Sequence, residues 1–306
     1  MFHVSGEMRG ALFYLEPSAM AALADHPPFL VPRLHSMSNL PVEKRDRAYE
    51  VKFLLPDAMA DRVLAWARLH LAIDPHADQS MGDGYRVNSL YFDTASFDVF
   101  HRRGSFRRRK YRVRRYGSES LVFLERKTKS SGVVRKRRTV VPESDLSKLT
   151  ALADSHTHET EGQVAADPTW PGDWFHRKLI ARRLMPRCHV GYDRVARVGM
   201  TPEGPIRLTV DRHVRCHAVA EMSVPRAVEG IRLLTEQSIV EFKFRVAMPG
   251  LFKGLIHELA LTPSSMSKYR LSAAACGLVS SISEPLETGT PQSEHQSCES
   301  SQAACG

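Results

Sequence analysis

Between residues 101 and 138 the chain carries sixteen lysines and arginines against two acids, Glu119 and Glu125. The net charge of that window is +14, while the whole chain carries +9, so the positive charge is local. Alternate residues of a strand share a face. Read that way, Arg108, Lys110, Arg112 and Arg114 fall together ahead of Tyr116-Gly117. The next run, Leu121 to Lys127, puts Glu125 and Lys127 on one face and Val122 and Leu124 on the other. A third run, Val133 to Val141, follows Ser130-Ser131-Gly132 and carries Arg135, Lys136, Arg137 and Arg138. Cations two apart on a strand sit about 7 Å apart, and at an effective dielectric of about 20 each pair repels by roughly 2–3 kcal/mol before screening. A sheet built from three such runs must solvate that face or offer it to a polyanion.

Composition narrows the partner only to an anion. The chain has 306 residues, 42% hydrophobic and 25% charged, enough for one large domain or two small ones with a sizeable core. A pI near 9.5 suits nucleic acid, anionic lipid or phosphate compounds. No apolar run reaches the roughly eighteen residues of a transmembrane helix, and no basic-then-apolar secretory signal opens the sequence. Cysteines stand at 188, 216, 276, 298 and 305, an odd number with no C-x-x-C, so a zinc site or disulfide framework is not indicated and a cytoplasmic setting is expected.

Residues 1–45 lack periodicity and are expected to form a loosely ordered extension; the Ser-, Glu-, Gln- and Pro-rich residues 277–306 are expected to be a disordered tail. The fold is expected to occupy 46–276. Its first strand, 47–55, sets Tyr49, Val51 and Phe53 against Glu50 and Lys52. A helix follows from Pro56, with Asp57 as N-cap and Met59, Val63, Trp66, Ala67 and Leu71 as its apolar stripe. Tyr85 to Asp93 reads as a buried strand and Ser96 to His101 as a short helical connection. Pro142-Glu143-Ser144-Asp145 starts another helix, and 154–172 reads as a loop whose His156 and His158 lack the spacing of a metal site. Trp174 to Leu184 reads as a basic helix. Strands are expected near 187–199, 205–213 and 238–246, the last with Val240, Phe242, Phe244 and Val246 opposite Glu241, Lys243 and Arg245. Pro249 opens a helix with Leu251, Phe252, Leu255, Ile256 and Leu259 on its apolar face, and a last short helix follows Ser267.

Glu-x-Lys recurs at 50/52, 125/127 and 241/243, each time backed by an apolar strand face. The chain therefore predicts an α+β fold in which an antiparallel sheet closes into a β-barrel, with helices outside and the charged face inside. Cations on that face would grip phosphate oxygens and carboxylates would hold a divalent ion.

The chain resembles the VTC domain, the polyphosphate polymerase branch of the triphosphate tunnel metalloenzymes. The resemblance rests on Glu50-Val51-Lys52-Phe53, Val87 to Asp93, Arg112-Val113-Arg114-Arg115-Tyr116-Gly117 and Leu124 to Lys129. It continues through Lys136-Arg137, Tyr192-Asp193-Arg194, Arg207 to Asp211, Glu241-Phe242-Lys243 and Ser267-Lys268-Tyr269. It implies a triphosphate tunnel with Lys52, Arg112, Arg114, Lys127, Arg194 and Lys268 as catalytic cations. Lys136, Tyr192, Arg207, Lys243 and Ser267 would be further phosphate-binding residues. Glu241 would hold Mn²⁺ or Mg²⁺, with Glu50 and Glu125 as additional ligands. Two positions depart from related patterns. Ala48 stands where the triphosphate-hydrolysing branch has a first-strand Glu, and Ser265 where the eukaryotic polymerases have a Lys.

The expected function is transfer of the ATP γ-phosphoryl group to a growing polyphosphate chain. A triphosphatase or nucleoside triphosphatase on the same scaffold is the alternative enzyme, and a non-catalytic polyphosphate or inositol-phosphate binding module the alternative of another class. Nucleic acid is not an expected partner, since the basic window offers Tyr111 and Tyr116 but no stacking platform.

Overall fold

A computed structural model describes residues 47–130, 133–150 and 170–279; the N-terminal extension, most of the 154–172 loop with its histidines, and most of the tail expected from the sequence lie outside the described residues. Among the described residues ten strands form one antiparallel sheet: β1 (Arg47–Pro56), β2 (Ala72–Ile73), β3 (Gly84–Asp93), β4 (Arg109–Tyr116), β5 (Leu121–Ser130), β6 (Val133–Pro142), β7 (Met185–Thr201), β8 (Gly204–Ala218), β9 (Ile231–Arg232) and β10 (Gln237–Phe244). Their order is β2-β7-β3-β4-β5-β6-β1-β10-β8-β9, and an added β7–β8 pairing joins eight of them into a ring. Within the ring the β1–β6 seam is the shortest, three residue pairs from Arg47↔Arg135 to Tyr49↔Val133.

Much of the outward face of the ring is apolar, because alternate residues of β1, β8 and β10 and of parts of β3, β4 and β5 are, and helices cover it. Phe53, Leu55, Leu208, Val210, Val240 and Phe242 pack against Ala60, Val63, Leu64 and Ala67 of α1 (Asp57–His70) and Phe252 and Leu255 of α3 (Gly250–Glu258). The Phe242 and Phe252 rings stack with centroids 4.5 Å apart. On the neighbouring sector Phe92, Tyr111, Val113 and Leu124 meet Phe175 and Leu179 of α2 (Asp173–Ala181). Burying each such large side chain contributes about 1.5–3 kcal/mol. The last helix, α4 (Lys268–Ala275), buries Tyr269, Ser272 and Ala273.

Local departures from the sequence reading have local causes. Pro56, not Asp57, is the N-cap of α1; it lacks an N–H and its φ is pre-set, while Asp57 is the first helical residue and accepts a hydrogen bond from Ser238 Oγ at 2.5 Å. Residues 96–101 form turns held by Asp93, whose carboxylate accepts from the Val99 and Phe100 amides, and the short helical turn comes later, at Gly104–Phe106. Helix α2 stops at Ala181 rather than reaching Leu184. Strand β10 ends at Phe244, leaving Val246 69% exposed instead of on the apolar face. Strand β7 gains two residues at each end, and β8 runs on to Ala218 because its pairing with β7 continues past a register shift at Gly191/Asp193. Gly191 is obligatory there: a Cβ would lie 2.6 Å from that of Val228. Among the described residues no helix is long and apolar enough to cross a membrane.

Candidate functional site

The inward face of the ring carries the charge, and strand register decides which charges meet. Glu50-Val51-Lys52 on β1 runs antiparallel to Glu241-Phe242-Lys243 on β10, so Glu50 faces Lys243 and Lys52 faces Glu241. Lys52 Nζ lies 3.0 Å from Glu50 and 3.6 Å from Glu241, and Lys243 Nζ 2.5 Å from Glu241. Lys127 donates to both oxygens of Glu50, at 2.9 and 2.7 Å. The three Glu-x-Lys segments thus share one face, as their alternation predicts.

Next to this cluster runs a row drawn from three adjacent strands. Arg112, Glu125 and Arg138 stand directly opposite one another on β4, β5 and β6. Arg112 Nε holds one carboxylate oxygen at 2.6 Å and Arg138 Nε the other at 2.7 Å, and Glu125 is fully buried. Two residues along each strand comes a row with no acid: Lys110, Lys127 and Lys136. On β3 and β4, Arg112 reaches Tyr91 Oη at 3.2 Å and Arg114 reaches Ser89 Oγ at 3.0 Å. Across the ring Arg194 makes a bidentate pair with Asp211, at 2.6 and 2.8 Å, and Lys268 joins the same carboxylate at 2.5 Å. Ser267 caps α4 and its Oγ accepts from Lys110 at 2.7 Å, so the start of α4 connects β4 with β8. The Tyr192 ring carries Lys268 Nζ 4.6 Å from its centroid and the Arg194 guanidinium at 5.3 Å. Arg207 is turned toward one end, bonded to Asp74 at 2.5 Å and Tyr85 Oη at 2.7 Å.

Crowding of like charges perturbs the titration of the group. Burial, reinforced by Lys52 and Lys243 against the pull of Glu50 and Glu241, brings Lys127 down to about 8. Burial followed by Lys52 and Lys127 holds Lys110 well below the usual lysine range. Burial and Glu241 push Glu50 up, but Lys127, Lys52 and Lys243 outweigh them and leave it at about 2. Burial would raise Tyr116 too, yet Arg138 and Arg114 bring it down to about 7. Glu125 and Glu241 are held well below the carboxylate range by their cations despite burial.

Of the buried hydroxyls without a partner among the described residues, Tyr192 Oη and Thr209 Oγ1 belong to the inward strand face. Thr209 stands directly opposite Glu241 on the neighbouring strand. Among the described residues no three His, Cys, Asp or Glu side chains are grouped to hold an ion by themselves. A hard divalent ion in a phosphate site takes one or two carboxylates and draws its other oxygens from substrate and water. All three acids carry cations on their oxygens: Glu241 and Glu50, whose partners are flexible lysines, would be the ones to supply those carboxylates, while Glu125, gripped by a guanidinium on each oxygen, serves as a counter-charge.

Every site residue named from the sequence lies on this face or at the start of α4. Sequence reasoning did not single out Asp211, Arg138, Lys110, Tyr91 and Tyr116 for roles. Asp211 shares its strand face with Arg207 and Thr209, and Lys110 and Arg138 follow from alternation in their runs, so the signal was present. Arg115 goes the other way: fully buried, it donates to the Val224 and Glu119 carbonyls and pairs with Glu143.

The VTC domain family model matches residues 47–276. No curated protein matches the chain. Among solved structures the chain is similar to HpAC1 from Hippeastrum, described as having a dominant triphosphatase activity, at 16% identity over 80% of this chain and 100% of that one, with a TM-score of 0.44. A candidate adenylate cyclase from Bacillus halodurans matches at 15% identity over 72% of this chain and 92% of its own, TM-score 0.40. The PH1819 protein of Pyrococcus horikoshii OT3 matches at 12% identity over 73% and 97%, TM-score 0.40.

Proposed function

This chain belongs to the VTC domain family, and from that premise we propose that it is a metal-dependent phosphotransferase that extends polyphosphate from ATP within its strand ring. The observation that carries the reading is the pair of adjacent inward rows, Arg112–Glu125–Arg138 and Lys110–Lys127–Lys136, beside the interlocked Glu-x-Lys segments of β1 and β10. Lys127 takes its carboxylate from Glu50, outside the row, so a polyanion laid along the row would meet three lysines with no acid between them.

In this reading Lys127, Lys136, Lys52 and Lys243 bind phosphate oxygens as point charges. Arg112 and Arg114, held by Glu125, Tyr91 and Ser89, present planar forks to the transferred group. Arg194 and Lys268, fixed by Asp211, and Ser267 position the terminal phosphate near α4, with Tyr192 as wall and Arg207 at one end. The bond from the γ-phosphorus to the ADP oxygen breaks as the terminal chain oxygen bonds to that phosphorus, in line. Positioning and charge stabilisation supply the catalysis, and no protein nucleophile is needed. Mn²⁺ or Mg²⁺ on Glu241 and Glu50 would neutralise phosphate oxygens. Ala48, inward and 7% exposed, leaves the first strand one carboxylate short of the hydrolase pattern, which favours transfer over hydrolysis. A cytoplasmic location would supply the nucleotide.

The test is incubation of purified protein with ATP and Mn²⁺ or Mg²⁺, with products resolved on a polyacrylamide gel. A ladder of polyphosphate with stoichiometric ADP supports the reading. Orthophosphate alone assigns a triphosphatase, and bound but unchanged ATP assigns a binding module.

A further inference from the structure

Three cysteines meet where α4 packs on β7 and β8, away from the charged rows. Cys216 on β8 and Cys188 on β7 are fully buried, and Cys276, the residue after α4, is half-buried. Cys216 and Cys276 touch, sulfur to sulfur, at 3.5 Å, and the Cys216 thiol also points at the Ser272 carbonyl on the last turn of the helix, at 3.9 Å. The Cys276 amide bonds that same carbonyl at 2.9 Å. The two sulfurs are therefore held together by a capped helix end and a strand, not by a mobile loop. They need only close from contact to bonding distance, about 2 Å.

We propose that Cys216 and Cys276 are an oxidative modification site that forms a disulfide with a low-molecular-weight disulfide as oxidant. Cys276 is the sulfur a small oxidant can reach. Its thiolate attacks the oxidant R–S–S–R, giving a Cys276–S–S–R mixed disulfide and releasing one RS⁻. Cys216 then loses its proton and attacks the Cys276 sulfur, forming the Cys216–Cys276 bond and releasing the second RS⁻. Two electrons pass from the two protein thiols to the oxidant, which leaves as two thiols. Burial pushes the Cys216 thiol up to about 12, with its hydrogen bond to Cys276 adding to the effect, so the second step is the slow one.

The bond would tie the end of α4 to β8. The other end of α4 holds Ser267 on Lys110 and Lys268 on Asp211. Oxidation would thus fix in place the helix that presents these two residues, and cross-linking residues so far apart in sequence restricts the unfolded chain.

The full chain, reduced and then incubated with oxidised glutathione, tests this by non-reducing peptide mapping and thermal unfolding. A Cys216–Cys276 linked peptide and a melting temperature raised by roughly 5–10 °C, reversed by dithiothreitol, are expected. Cys276→Ser should lose both effects, whereas Cys298→Ser/Cys305→Ser should keep them. Glutathione left on Cys276, a link from Cys276 to Cys188, or a link confined to Cys298 and Cys305 would overturn the assignment. So would a linked peptide without any change in melting temperature.

Discussion

Lys127 on β5 donates to both carboxylate oxygens of Glu50 on β1, although β6 lies between the two strands in the ring. Burial, reinforced by Lys52 and Lys243, leaves Lys127 at about 8, so near that pH it is only partly charged. A bound polyanion favours the charged form and raises that value. Tripolyphosphate binding should therefore take up part of a proton between about pH 8 and 10. Calorimetry in buffers of different ionisation enthalpy reads the uptake directly. Lys127→Met should reduce it, leaving the share of Lys110, which burial also holds low; unchanged uptake in the variant would assign the proton to another group.

Glu241→Gln separates ligand from counter-charge. If Glu241 holds the divalent ion, turnover falls steeply and its Mn²⁺ dependence flattens, while metal-free tripolyphosphate binds at least as well because a negative charge has left the site. Titrations of rate against Mn²⁺, paired with binding in chelator, measure both. A normal Mn²⁺ profile at normal rate would sink the metal role.

Arg114→Lys replaces a fork with a point charge. The lysine cannot hold Ser89 Oγ, now 3.0 Å from Nε, and present a second N–H fork to a phosphate at the same time. Affinity for tripolyphosphate should drop roughly tenfold, about one lost charge-assisted hydrogen bond, with unfolding little changed. Equal affinity in both proteins would place the guanidinium outside the binding face.

Acid should unfold the protein through its inward carboxylates. Glu50 has a folded value of about 2 against an ordinary 4.5. A depressed carboxylate contributes stability that is complete above its unfolded value and disappears as pH falls through its folded one. Glu125, Glu241 and Asp211 are shifted in the same direction. Urea midpoints should therefore fall between pH 4.5 and 2, and Glu50→Gln should flatten that slope. The same slope in both proteins would remove Glu50 from the account.

Arg115→Ala should cost stability and not phosphate affinity. It leaves the buried carbonyl of Val224 without its donor and Glu143 without its partner. A loss of roughly 2–4 kcal/mol in urea unfolding is expected, with tripolyphosphate binding retained once the protein is folded.

The strand phases were legible where charge and apolarity alternate, over Tyr49 to Phe53 of β1 and Val240 to Phe244 of β10; one residue of slip would have turned Phe53 or Phe242 onto the charged face. The same alternation put Arg112, Arg114 and Lys127 on one face. What it could not supply is which cation meets which acid, since that depends on register between strands far apart in sequence. Asp211 drew no role for this reason: only β8 against β7, and α4 above them, reveal that it anchors both Arg194 and Lys268. Arg115 was read with its motif, and its outward burial depends on where residue 224 returns. The helix boundaries failed where capping was decided by tertiary contacts, as at Asp57 and Ser238.

The ring is not equally strong all round. Three residue pairs join β1 to β6, whereas the neighbouring β1–β10 and β5–β6 ladders have eight and ten. Breathing motions concentrate where the fewest ladder bonds must break. Here that place lies between the strand of Glu50 and Lys52 and the strand of Lys136 and Arg138, so each opening parts the two halves of the charged face. A polyanion lying across both would act as a clasp, and the ring's tightest state would be the loaded one.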